Sequence, residues 1–290
     1  MQINFMKDKP WTYIQNCQIP AGKNLPDSVM RIAALIEYDG SSYCGWQRQN
    51  HSPSVQAEVE KALSVVADEP ILVVCAGRTD TGVHGTNQVI HFDTSATRLP
   101  RQWMLGVNAN LPRNIRIHWV GDKSPQFHAR FSAVSRTYRY VISNQFYRSA
   151  LYHNLLTWER VQLDEKAMNV AAQCLIGEHD FTSFRASGCQ SMSPNRNVHA
   201  VNVRREKKLV IFEITANSFL HHMVRNIVGS LISIGKGDHS SAWFSALLKN
   251  RDRSKASATA PSNGLYLSGV SYPPEYNIPR FNLDGEILPI

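Results

Sequence analysis

The sequence predicts an α+β fold built from two ferredoxin-like halves. Three observations point there. The chain has 290 residues, and at roughly 150 residues per domain that suggests about two domains. Apolar residues make up 43% and charged residues 19%, ordinary values for a globular chain able to bury a core. Strand and helix patterns then follow one another in the order β-α-β-β-α-β, twice, which is the split βαβ arrangement.

The first half opens with Met30–Tyr38, MRIAALIEY. This short apolar run stops at Asp39-Gly40 and predicts a buried strand and a turn. In SPSVQAEVEKALSVVADEP, Ser52 is placed to cap a helix and Pro53 suits its first position. Val55, Val59, Ala62, Leu63 and Val66 share one helical face, and Pro70 ends it. A β-rich run at 71–76 and a second strand at 86–92 flank a glycine-rich connection. A weaker helix is expected at 101–110. Ile115, Ile117 and Trp119 then alternate with Arg116 and His118, a half-exposed strand.

The second half repeats the order in topology, not in residue identity. Strands are expected at 136–142, 198–203, 209–215 and 265–272, and helices at 164–176, 220–234 and 240–248. The resulting division is an N-terminal extension at 1–27, broken by Pro10, Pro20, Gly22 and Pro26, an N-terminal lobe at 28–133, a C-terminal lobe at 134–275 and a tail at 276–290. Two such lobes side by side leave a cleft, a common place for a ligand.

Composition narrows the function classes. Lys plus Arg is 31 against 23 Asp plus Glu, a net charge of +8, which favours a polyanionic partner such as nucleic acid. The five cysteines (Cys17, Cys44, Cys75, Cys174 and Cys189) form no CxxC pair and no zinc-finger spacing. Scattered thiols fit a reducing cytoplasm. No apolar run reaches the ~18 residues of a membrane span, and the N-terminus lacks a signal-peptide core.

The segment from Cys75 to Gly85, CAGRTDTGVHG, is longer than a tight hairpin needs. Gly77, Gly82 and Gly85 permit positive φ or a close backbone approach. Arg78 and Asp80 are two apart, so on an extended stretch they point the same way. An arginine there keeps the carboxylate ionised and offers a phosphate contact. On spacing alone, an ordinary surface ion pair is the simpler reading.

Taken with the rest of the chain, GRTDTGVHGTNQVIHF resembles the catalytic loop of tRNA pseudouridine synthases of the TruA type. YDGSSYCGWQRQ at 38–49, SVQAEVEKAL at 54–63, FHARFSAVSRTYRYVI at 127–142, FTSFRA at 181–186, NSFLHHMVRNIVGSL at 217–231 and APSNGLYLSGVSY at 260–272 resemble that family's motifs in the same order. Several ordered motifs are far more specific than one short pattern. Thr81 and Gly85 stand where the family commonly has alanine.

The resemblance implies a pseudouridine synthase fold of two α/β lobes with a mixed sheet and a central active-site cleft. It implies isomerisation of uridine to pseudouridine at positions 38, 39 and 40 of the tRNA anticodon stem-loop, by a homodimer that needs no cofactor and no metal. Asp80 matches the nucleophile, adding either to the ribose anomeric carbon or to carbon 6 of uracil. Tyr138 matches the active-site tyrosine, whose ring stacks on uracil and whose hydroxyl assists loss of the carbon 5 proton. Arg225 matches an arginine that pairs with the Asp, and Leu265 a leucine packed beside the tyrosine. A protein that only binds or folds RNA has no use for this set.

No metal site is expected. His221 and His222 are adjacent, which on a helix sets their side chains about 100° apart, and no third ligand is evident. GxxxxGK[ST] is absent. Arg113, Arg116, Arg130, Arg136, Arg139, Arg196, Arg204, Arg205, Lys207 and Lys208 are spread over both halves as expected phosphate contacts, suiting recognition of RNA shape more than sequence.

Overall fold

Alternation along MRIAALIEY places the first strand, β1 (Met30–Tyr38), at the centre of the first half. Ile32, Ala34 and Ile36 bury on one face, while Ala33 and Leu35 bury on the other. The computed structural model describes residues 28–280; the expected extension at 1–27, with Cys17, and the end of the tail at 281–290 lie outside them.

Helix α1 (Val55–Ala67) starts later than the sequence suggests. The Ser54 hydroxyl accepts from the Ala57 amide, so Ser54, not Ser52, is the cap. Pro53 stays outside the helix, its carbonyl accepting from the Cys44 amide at 2.8 Å. The run at 71–76 shrinks to β2 (Val74–Cys75). Its earlier amides are taken by α1 instead of a strand: Ile71 donates to the Ser64 hydroxyl and Val73 to the Glu60 carboxylate. β3 (His84–Thr94), α2 (Pro100–Asn110) and β4 (Ile115–Lys123) complete the half.

The second half comprises β5 (Ser135–Asn144), β6 (Thr157–Glu159), α3 (Glu165–Ala172), β7 (Gly177–Asp180), β8 (Asn195–Glu206), β9 (Leu209–Ala216), α4 (Met223–Gly235), α5 (Ser241–Asn250) and β10 (Leu265–Ser271). The expected helix at 164–176 tightens into a 3-10 turn at Gln173–Leu175. β6 and β7 have no counterpart in the sequence reading. They are three and four residues long, too short to show a period.

All the strands join one mixed sheet in the order β4-β1-β3-β10-β5-β9-β8-β7, with β2 on β3 and β6 on β5. The α+β class expected from the sequence is what forms. In each half the four main strands run fourth, first, third, second: β4-β1-β3-β2 and β10-β5-β9-β8. α1 and α2 pack on the face carrying Ile32, Ala34 and Ile36. Ala33 and Leu35 join the core beneath α3, α4 and α5. Among the described residues no helix is long and apolar enough to cross a membrane.

Because β2 is short, one edge of β3 is shared. β2 pairs with it antiparallel at Ile90 and His91. β10 pairs with it parallel at His84 and Gly85. β10 also runs antiparallel to β5, setting Leu267 opposite Tyr138 and Leu265 opposite Tyr140. Residues 76–83 link β2 to β3 at this seam between the halves.

Candidate active site at the seam of the two halves

The linking loop is tied to its surroundings mainly through its backbone. The Trp46 amide donates to the Thr79 carbonyl at 3.0 Å and the Gly82 amide to the Tyr43 carbonyl at 3.3 Å. Gln88 brackets Gly77, donating to its carbonyl and accepting from its amide. The Tyr38 and Thr79 hydroxyls are hydrogen-bonded at 2.8 Å. The 38–49 motif is thus the cradle of the loop. Gly45 has φ +96°, and a Cβ there would stand 2.7 Å from the Thr79 carbonyl oxygen. Gly82 has φ +75°, with the Ser262 hydroxyl 2.7 Å from where its Cβ would be. A side chain at Gly45 would displace the loop, and one at Gly82 would be strained by its positive φ and pressed on Ser262.

Asp80 follows buried Thr79, and its side chain is 30% exposed. Two histidines face its carboxylate. His221 Nε2 lies 3.5 Å from one oxygen and His222 Nε2 3.5 Å from the other. Contrary to what the spacing assumed, the pair does not stand on the helix. α4 begins at Met223, and His222 precedes it in the left-handed region at φ 58°. The turn brings both rings to the same side, with centroids 4.0 Å apart. Asp80 is a third donor beside the pair: the three donor atoms lie within 4.8 Å of one another. Burial lowers the His222 pKa, the Asp80 charge opposing it and His221, Arg225 and Arg253 adding to it.

Tyr138 is buried on β5, its ring edge-on to Phe219 with centroids 4.9 Å apart. Burial raises its phenol pKa above the ordinary range, and the charge of Asp80 raises it further. Loop, strand and carboxylate therefore share one electrostatic environment. Leu265 is buried but stands across from Tyr140. The leucine directly opposite Tyr138 is Leu267, which is fully buried. Tyr140 is an anchor, its hydroxyl bonded to the Thr157 hydroxyl and donating to the Pro261 carbonyl.

The expected arginine pairings do not form. Arg225 donates through Nε to the Ala260 carbonyl at 2.8 Å, and the Ala260 amide donates back to the Arg225 carbonyl. Its place early in α4 turns it onto the strap before β10. Among the described residues no ion pair joins Asp80 to Arg225 or to Arg78. Arg78 is exposed and makes no hydrogen bond to a described residue.

Arg136 was expected on a phosphate but is a buried strut. It donates to the carbonyls of Ala76 through two nitrogens, and to those of Ala133, Asn217 and Arg130. It fastens the base of the loop to β5. Replacing it by Met removes a buried cation and leaves these carbonyls short of donors, at a cost of roughly 3 kcal/mol. Urea unfolding of Arg136→Met beside the exposed control Arg113→Met measures this; equal midpoints would contradict the strut.

Others from the basic set are also committed. Arg139 pairs with Glu213, Arg204 with Glu206 and Arg205 with Glu165. Arg116 and Arg196 donate to backbone carbonyls. Strand alternation does not distinguish a buried arginine from an exposed one, because the long stem reaches either way. Two surface hollows, one along Asp164, Ile234 and Ser240 and one along Glu60, Lys61 and Pro70, hold none of the site residues.

Most of the chain has known relatives. A family model described as tRNA pseudouridine synthase matches residues 34–132 and 171–273, spans that include the loop, its cradle, the histidine turn and β10. The tRNA pseudouridine synthase A of Shewanella denitrificans is 58% identical over 254 residues, covering 88% of this chain and 97% of the relative. That of Methylococcus capsulatus is 55% identical over 251 residues, 87% of this chain and 93% of the relative. With the seam loop and most of the sheet inside the matched spans, and relatives more than half identical over most of the chain, the chain belongs to the tRNA pseudouridine synthase family, enzymes that isomerise uridine to pseudouridine in tRNA.

Proposed function

We propose that the chain modifies positions 38, 39 and 40 of the tRNA anticodon stem-loop, with Asp80 as nucleophile. The observation that carries this reading is the pinned seam loop, which holds a partly exposed carboxylate in electrostatic contact with buried Tyr138. The reaction redistributes atoms within one nucleotide. The bond from nitrogen 1 to the ribose breaks, the base turns, and carbon 5 bonds to the same ribose carbon. Carbon 5 loses a proton and nitrogen 1 gains one, so no co-substrate is consumed. Asp80 adds to the ribose anomeric carbon or to carbon 6 and leaves again. The Tyr138 hydroxyl is neutral at pH 7, as any phenol is, and burial makes it harder still to ionise. It therefore serves as a proton relay, accepting only as it gives.

Around this centre, Arg78 is the exposed cation placed to meet a phosphate. Arg225 secures the strap carrying Ala260, and Leu267 walls the tyrosine. The chain acts in the cytoplasm as a homodimer sharing one tRNA surface. A uridine near the anticodon loop leaves its stack at least cost, which fits several neighbouring targets. Pseudouridine mapping of tRNAs from cells lacking this protein should lose positions 38–40 alone; their retention, with loss elsewhere, would refute the site assignment.

Binding should depend steeply on salt. Arg78, Arg113, Arg130 and Lys208 are exposed. Contact with about four phosphates lowers affinity on the order of a hundredfold between about 50 and 200 mM salt. Titrations of intact tRNA and of a scrambled-sequence RNA of the same secondary structure check it. A flat response, or no binding to the scrambled stem, would point to base-specific recognition instead.

A further inference from the structure

We infer that Asp80, His221 and His222 form a binding site for a borderline divalent cation of the zinc type, and that its occupancy shuts the isomerase off. The shut-off rests on the reading of Asp80 as nucleophile; the site does not.

Separation is the first argument. An imidazole hydrogen-bonded to a carboxylate stands about 2.7–3.2 Å from it. Both histidine nitrogens stand 3.5 Å from Asp80, outside that range. Two ligands about 2.1 Å from a tetrahedral zinc are about 3.4 Å apart. Each gap, one to each carboxylate oxygen, is thus close to an ion's coordination edge and wider than a shared proton allows, and binding draws together three donors that already lie within 4.8 Å of one another.

Rigidity is the second. The Asp80 carbonyl accepts from the Val83 amide, the His221 carbonyl from Ala186 and the His222 carbonyl from Asn226. Three separate backbone anchors hold the segments that carry the three donors, so binding has side chains to order but no backbone. The side chains are 29–41% exposed, leaving a path for the ion and room for water as a fourth ligand. Two nitrogens and one oxygen suit zinc, nickel or cobalt, whereas magnesium and calcium take oxygen ligands. An Asp80 oxygen bound to such a cation has its lone pair engaged and its approach to the substrate blocked.

The test uses full-length protein stripped of metal. Zinc chloride is titrated by calorimetry and cobalt chloride by its visible d–d absorbance. One ion per chain is expected at micromolar concentration, with bands of a tetrahedral nitrogen–oxygen site and no displacement by millimolar magnesium. His221→Ala and His222→Ala, checked as folded by circular dichroism, should each bind at least tenfold more weakly. Cys189, whose sulfur accepts from the His221 amide, is the competing ligand; Cys189→Ser should bind as the unmodified chain does. The stripped enzyme should isomerise at full rate, lose activity along the zinc-binding curve and regain it with EDTA. Absence of stoichiometric binding, unchanged affinity in both histidine variants, or binding lost in Cys189→Ser overturns the site. Zinc bound with isomerisation undiminished overturns the shut-off, and the Asp80→Asn assay then decides whether the nucleophile assignment falls with it.

Discussion

Asp80→Asn should lose at least about ten-thousandfold in turnover, the scale of nucleophile deletions elsewhere, while tRNA affinity stays within a few fold. The amide is nearly the same size but is a poor nucleophile. The loop should survive, because its ties run through the backbone of Thr79, Asp80 and Gly82 and through the Thr79 hydroxyl, not through the Asp80 carboxylate. The two histidines at 3.5 Å lie too far to hold it. Pseudouridine formation and filter binding on one preparation separate the two quantities. Turnover retained in the purified variant would rule Asp80 out.

Tyr138→Phe should cost on the order of a hundredfold or more in turnover and much less in affinity. The ring remains, and stacking on a base is worth roughly 1–3 kcal/mol. The hydroxyl makes no hydrogen bond to a described residue, so its removal orphans no partner and should leave stability unchanged. Only proton transfer is lost. Matching losses in binding and turnover would instead make Tyr138 part of the framework.

The elements most legible in the sequence were the long periodic ones. β1 forms at Met30–Tyr38 as read, and all five expected helices appear. Legibility failed where backbone amides found partners outside the strand ladder, as Ile71 and Val73 did on α1, and where elements were too short to repeat. The site divided in the same way. The loop and Tyr138 announced themselves through motif and spacing. The meeting of Asp80 with His221 and His222 did not, because it depends on one left-handed residue before α4, and helical periodicity assigns that residue to the helix. Nor did Arg136, two of whose four backbone acceptors, Ala76 and Asn217, are distant in sequence. Leu267 escaped notice for want of register: only pairing across β5 and β10 sets it, and not Leu265, against Tyr138.

The place of β10 has a consequence for biosynthesis. Of the described strands, the ribosome makes it last, yet it lies in the middle of the sheet, joining β3 to β5. A nascent chain can form the order β4-β1-β3 and bury α1 and α2 long before then. The ladder that joins the two halves closes only when Leu265–Ser271 has emerged and slotted between them. The seam is therefore completed in a single late event, and unfinished chains carry a half-built sheet whose open edge is a risk for pairing with other chains.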